Sequence, residues 1–279
     1  MACNTRMIRI SGVALLLTLS VLATSVAKAE GPAIERLTWA GIKWVSGDTT
    51  VFVDAVGTDL WDGEAPEGLV PVTAETRRRY ALVTHAHNDH FDVETLKEVL
   101  GDRGYVICHE SEAAYMASRG LKVIPAKTWE PVLRGGFVFT AVPAEDGLGS
   151  NQVGWVIAND EHRVFHGGDT LWHGQWRTIG LQYGPFDVAF MPINGARIQQ
   201  EEAFETPAVL TPAQAVDAAI LLRANVLVPI HYGLDAPPNY VEVPDPLGTL
   251  SKAAERRNQQ VRHLMPGQRI DVEPQELQD

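Results

Sequence analysis

Cysteine is nearly absent from this chain: its 279 residues include only Cys3 and Cys108. So few thiols rule out a disulfide framework, and stability must come from packing or bound metal. Cys108 lies in the apolar stretch Tyr105-Val106-Ile107-Cys108, which predicts a core residue rather than a nucleophile. Positive charge is also scarce, with 23 Lys+Arg against 35 Asp+Glu and a net charge of −12. An acidic surface repels phosphate backbones, so nucleic acid is a poor partner. The charge says nothing positive about the substrate; a small-molecule substrate is expected from the motifs below. Long hydrophobic runs are missing as well. The apolar run Val13 to Ala23 is shorter than the roughly 20 residues a spanning helix needs. There is no internal repeat, low-complexity tract or break in composition.

What is present begins at the N-terminus. Arg6 and Arg9 precede the apolar run, and Ala27-Lys28-Ala29 follows it. A basic start, a short apolar segment and small residues at a cleavage point make up a secretory signal peptide. The expected organisation is a leader over residues 1–29 and one domain over residues 30–279. The alternative is an uncleaved anchor. No twin arginine precedes the run, and no cysteine near the cleavage point would take a lipid. The mature protein is expected to be exported, periplasmic or secreted, without stable membrane association. Cleavage removes three basic residues and no acidic ones, taking Lys+Arg from 23 to 20 against 35 Asp+Glu, a net charge of −15.

With 45% hydrophobic residues, the chain can bury a sizeable core. From about Leu37, short β-rich runs alternate with helical patterns. Strands are predicted at Thr50–Asp54, Tyr80–Thr84, Tyr105–Cys108, Val123-Ile124, Phe137–Val142, Val153–Ile157, Val164-Phe165, Asp187–Met191 and Val226–Ile230. Helices are predicted at Phe91–Leu100 with Asp92 as N-cap, Ser111–Ser118, and about Asp245–Arg257. Thr211-Pro212 opens another, expected to be the longest and to run to about Arg223. The alternation implies a layered α/β architecture.

The chemistry is concentrated in Thr84-His85-Ala86-His87-Asn88-Asp89-His90, directly after a predicted strand. In extended backbone His85 and His87 point the same way and can share one ion. Asp89 and His90 come where the chain turns into a helix and can serve a neighbouring ion. Imidazole and carboxylate together suit borderline divalent metals.

Here the chain resembles the metallo-β-lactamase superfamily, whose hallmark is H-x-H-x-D-H after a strand. The resemblance covers most of the mature chain. Val51-Phe52-Val53-Asp54 is similar to the family's early strand with a supporting Asp, placing Asp54 behind a ligand imidazole. His166-Gly167-Gly168-Asp169-Thr170 is similar to the G-D-T motif, whose Asp bridges two metals. Pro229-Ile230-His231-Tyr232-Gly233 is similar to the final P-x-H motif, whose His completes the second site. The strand end Met191-Pro192-Ile193-Asn194-Gly195 is similar to the lactonase-like, broad-function branch. The resemblance implies an αββα sandwich with two divalent ions at one edge. Taken one at a time, Asp169 could only shape a turn, and His231 could be a core histidine.

One position departs from the family. A third His usually lies in a P-x-x-H segment, but here the segment reads Pro143-Ala144-Glu145-Asp146, and no histidine occurs between His109 and His162. Asp146 stands where the His would be, with Glu145 second to it; the alternative is a turn Asp beside Gly147. If Asp146 is a ligand, the site gains oxygen character, and Mn²⁺ or Fe²⁺ compete better with Zn²⁺, the first expectation.

The expected reaction is hydrolysis of an ester, lactone, amide or phosphoester by a metal-bound hydroxide. Asp89 and His173 are the catalytic candidates, His173 as proton donor to a leaving group. The other reading of Leu171-Trp172-His173-Gly174-Gln175-Trp176 is two Trp packing at helical spacing. Asn194 could position substrate. Two competing functions remain, an exported metal-binding protein without catalysis and a nuclease of the same fold, the latter opposed by the acidic charge.

Overall fold

A computed structural model of the chain describes Met1 and residues 33–57, 69–147, 149–198, 207–234 and 240–272. Apart from Met1, the expected leader, residues 1–29, lies outside them. All that follows concerns the compact unit Gly31–Asp279.

Two seven-stranded sheets dominate. The first contains β1 (Ala33–Arg36), β2 (Ile42–Ser46), β3 (Thr49–Val53), β4 (Arg78–Leu82), β5 (Tyr105–His109) and β6 (Val123–Ala126) in that order, with β16 (Arg269–Asp271) outside β1. The second contains β7 (Pro131–Arg134), β8 (Phe137–Pro143), β9 (Val153–Ala158), β10 (Arg163–His166), β11 (Phe186–Pro192) and β13 (Ala224–Ile230) in that order, ending on β15 (Gln260–Val261). A small ribbon pairs β12 (Arg197–Ile198) with β14 (Tyr240–Val241).

The strand sequences explain the stacking. In β3 and β11 every residue is buried, because both faces of a central strand are covered. Side chains alternate between faces. Val51, Val53, Leu82 and Ile107 of the first sheet meet Phe139, Trp155, Val188 and Phe190 of the second in one core between the sheets. Phe52, Ala81, Val106 and Cys108 face outward, into a layer with α1 (Val93–Leu100) and α2 (Glu110–Ser118). Ala189 and Met191 face the opposite way, against α3 (Trp176–Tyr183), α4 (Pro212–Leu222) and α5 (Pro246–Arg257). The result is the expected four-layer αββα sandwich. The edge strands β6 and β7 carry Pro125 and Pro131, where a missing N–H costs no ladder bond.

Helix caps follow the sequence. Asp92 accepts from the Glu94 and Thr95 amides to start α1. Thr211 and Gln214 form a reciprocal capping box on α4. Several expectations are corrected. The first described strand, β1, lies before Leu37, and its residues alternate partly and fully buried over only four positions. Among the described residues the longest helix is α5, of 12 residues, and α4 has 11, because the αL residue Arg223 stops it. No described helix is long and apolar enough to cross a membrane.

The parallel pairs β3–β4, β10–β11 and β11–β13 determine where function can sit. Strands running the same way end at the same edge, and ligands gather beyond such carboxyl ends. Asp54, the His85–His90 loop, Gly167–Asp169, Asn194 and His231 each follow one of these strands.

Cys108 is fully buried, and desolvation pushes its thiol up to about 12. In a Cys3→Ser protein, a thiol reagent at neutral pH should leave Cys108 unmodified until denaturant is added; rapid labelling of the native protein would contradict this burial.

Candidate metal centre

The centre is assembled at turns that hold the backbone in unusual conformations. Asp54, Trp39 and His231 have φ values of +45°, +58° and +55°, in a region non-glycine residues seldom enter. All three converge on the same edge, where such strain is characteristic of functional sites. Gly168 (φ +61°) turns the chain between His166 and Asp169, and a Cβ there would come within 3.0 Å of the Thr84 side chain.

Asp54 organises the first loop. Its carboxylate accepts from the Thr84 amide (2.9 Å), the Thr84 hydroxyl (2.7 Å) and His90 Nδ1 (2.8 Å). Burial alone would raise the Asp54 carboxyl, but His90 beside it holds it below the usual range. With Nδ1 engaged, His90 turns Nε2 to within 2.9 Å of Asp169 Oδ1. His231 Nε2 stands 2.9 Å from Asp169 Oδ2 and 3.7 Å from Asp89 Oδ2. Ligand atoms of Asp89, His90, Asp169 and His231 all lie within 4.8 Å of one another. His85 Nε2 lies 3.9 Å from Asp169 Oδ2 and 2.9 Å from His87 Nδ1. Asp169 therefore has His90 at Oδ1 and both His231 and, farther off, His85 at Oδ2.

The residues present fit a metal. His90 Nε2, His231 Nε2 and Asp169 Oδ1 are buried, yet none is aligned in a hydrogen bond. They are ion-paired without that alignment, and a cation at the common focus of these buried atoms would satisfy them together. The electrostatics agree. Burial would suppress the charge on His90, but Asp169, Asp89 and Asp54 hold it protonated well above the ordinary histidine range. His231, against the same opposition from burial, is raised to about 9, chiefly by Asp169. Protons here supply the positive charge that the carboxylates demand. His85 goes the other way, to about 4, through burial and then His90, so it offers a neutral imidazole.

The remaining expected residues are placed as follows. Asp146 lines a cleft of about 250 Å³ together with His87, Asp89, Asp169, His231 and Tyr240. Its Oδ2 also accepts the Ser150 amide at 2.6 Å, and the Ser150 hydroxyl lies 2.8 Å from His87 Nε2. Asp146 thus makes the backbone contact of a turn residue and also takes a place in the cleft wall. Glu145 is exposed. His173 is not brought to the cleft. It is buried, stacks on Trp176 at 4.0 Å, accepts the Gln175 amide through Nδ1, and desolvation lowers it to about 4. A neutral imidazole fixed in this way is a packing residue and a poor proton donor. Trp172 and Trp176 do not share a helix, since α3 begins at Trp176. Asn194 acts behind the cleft wall: its side-chain amide donates to the Tyr240 hydroxyl and to Glu242.

Four contributors were missed in the sequence. Trp39 Nε1 donates to Asp89 Oδ2 (3.1 Å), and its ring lies 4.3 Å from that of His231. His166 Nε2 donates to the Ala40 carbonyl, and its Nδ1 accepts from the Gly168 amide, tying the two turns together. Gln152 receives the Asp169 amide at 3.0 Å. Tyr240 reaches the cleft from the small ribbon. His166 alone had a signal, since it adjoins the Gly-Gly-Asp run.

Comparison with known proteins is consistent with this geometry. The model of the β-lactamase superfamily domain matches residues 49–232. A metal-dependent hydrolase of Methanoculleus marisnigri is 27% identical over 253 residues, covering 86% of this chain and 98% of that protein. A metallo hydrolase from the archaeon Ignicoccus hospitalis superimposes with a TM-score of 0.67 at 21% identity, over 88% of this chain and 99% of its own. CmlA, a diiron β-hydroxylase from Streptomyces venezuelae, superimposes with a TM-score of 0.66 at 18% identity, over 87% of this chain and 54% of its own.

Asp54→Ala should remove the anchor of His90 and weaken metal binding roughly 10–100-fold in chelator competition. Unchanged affinity would mean that His90 is not oriented through Asp54.

Proposed function

This chain belongs to the β-lactamase superfamily as a metal-dependent hydrolase of that fold, and we propose that it hydrolyses an ester, lactone, amide or phosphoester at the centre described above. The observation that carries this reading is the convergence of buried His90 Nε2 and His231 Nε2 on the Asp169 carboxylate, with Asp169 and His231 lining a cleft.

We assign His85, His87 and Asp146 to one divalent ion and Asp89, His90 and His231 to a second, with Asp169 between them. Zn²⁺ is favoured by the imidazoles, and the extra carboxylate leaves room for Mn²⁺ or Fe²⁺. When bound, such ions acidify a water and polarise the scissile oxygen. The protein's own groups supply the rest. Asp169 sets the spacing between the two ligand sets. Trp39 occupies one oxygen of Asp89 and shields His231 from solvent. Ser150 holds His87 with its Nδ1 turned to His85. We further propose that the protein is exported, on the strength of Arg6, Arg9, the apolar run and Ala27–Ala29.

Protein recovered from outside the cytoplasm of its host should begin at Glu30 by N-terminal sequencing; an intact Met1 would contradict export with cleavage. Elemental analysis of that protein should find about two ions per chain, as two-metal hydrolases hold. Asp146→Ala should retain about one of them, and His87→Ala should abolish turnover on a panel of esters, lactones and phosphodiesters. Metal bound without any turnover would favour a non-catalytic metal-binding protein instead.

A further inference from the structure

We propose that the substrate is an uncharged carboxylic acyl compound with a small apolar acyl part, and not a phosphoester or other anion. The proposal rests on the hydrolytic reading of the centre and narrows it. The cleft has two unlike walls. One is the set of metal-facing groups, including the carboxylates of Asp89, Asp146 and Asp169. The other is apolar, formed by Ala196, Ile198, Ala208 and Val209. No Lys or Arg is among the described residues that line it.

Arg197 neighbours the lining residue Ile198 on β12, but it is exposed and alternates to the opposite face of the strand. A desolvated phosphodiester or carboxylate needs a cation or several donors to replace its water. Bound ions could serve, but three carboxylates already offset most of the charge that two divalent ions bring. An anion would therefore meet a centre of little net charge, with no cation among the described lining residues to receive it.

An uncharged acyl group meets no such penalty. Its chain can rest on the apolar wall, and its oxygen can face the one hydroxyl among the cleft's described lining residues. Tyr240 supplies that hydroxyl. Its oxygen accepts from the Asn194 amide, which leaves the phenolic proton to be donated elsewhere. A cleft of about 250 Å³ lies below the usual range for drug-sized ligands, so the acyl part must be small.

The test uses the metal-loaded full-length mature protein and probes matched in size. Turnover is compared for 4-nitrophenyl butyrate and bis(4-nitrophenyl) phosphate, which share a leaving group, each corrected for its uncatalysed rate. Binding is compared by calorimetry for δ-valerolactam, which is uncharged, and dimethyl phosphate, which is an anion. The expected result is a preference of at least about tenfold for the uncharged member in binding, with the same direction in turnover. Tighter binding or faster corrected turnover of the phosphate would overturn the proposal, and so would equal binding or no binding of both ligands. If neither ester is cleaved while the lactam still binds preferentially, the hydrolytic reading fails and the charge preference stands.

Discussion

Asp169 is buried at the edge where the two sheets end, with three histidines around its carboxylate, and the architecture of this edge is organised around that group. His90 and His231 each approach one of its oxygens to 2.9 Å, and His85 stands 3.9 Å away. A carboxylate so far from water is tolerated only with positive charge beside it. His90 and His231, both raised above the ordinary histidine range by Asp169, provide it, and divalent ions would provide more. The turn at Gly168, the Gln152 contact to the Asp169 amide and the His166 tie to Ala40 all hold this one side chain in place.

Much of the arrangement is local in sequence and was therefore legible. Three histidines and an aspartate within six residues require no knowledge of tertiary structure to be read as ligands, and Asp92 announces the helix that follows. The central strands were legible because burial on both faces leaves near-continuous apolar runs. Short edge strands were not. β1 and β7 carry charged or exposed residues and depend on their neighbours for order. Supporting contacts were hidden for a different reason. Trp39 lies 50 positions from Asp89, and Gln152 lies 17 from Asp169, so nothing in the local pattern joins them. His173 shows the opposite failure: proximity to Asp169 in sequence suggested chemistry, while the chain carries its ring away into the packing of Trp176.

Asp146 is the point at which sequence, structure and function meet. It replaces a residue type that the resemblance leads one to expect, lines the cleft, and is linked through Ser150 to His87. As a ligand, its negative charge would make the centre less electrophilic than a third imidazole would. An acidic chain with an acidic cleft and an apolar wall is consistent with uncharged substrates.

The most direct test of the account is the position of bound metal, found by anomalous diffraction at the absorption edge of the ion in crystals of the loaded protein. The account requires a peak coordinated by Asp89, His90 and His231, and a second beside His85 and His87, with Asp169 shared between them. Metal located elsewhere, or no peak at the focus of His90 and His231, would contradict it.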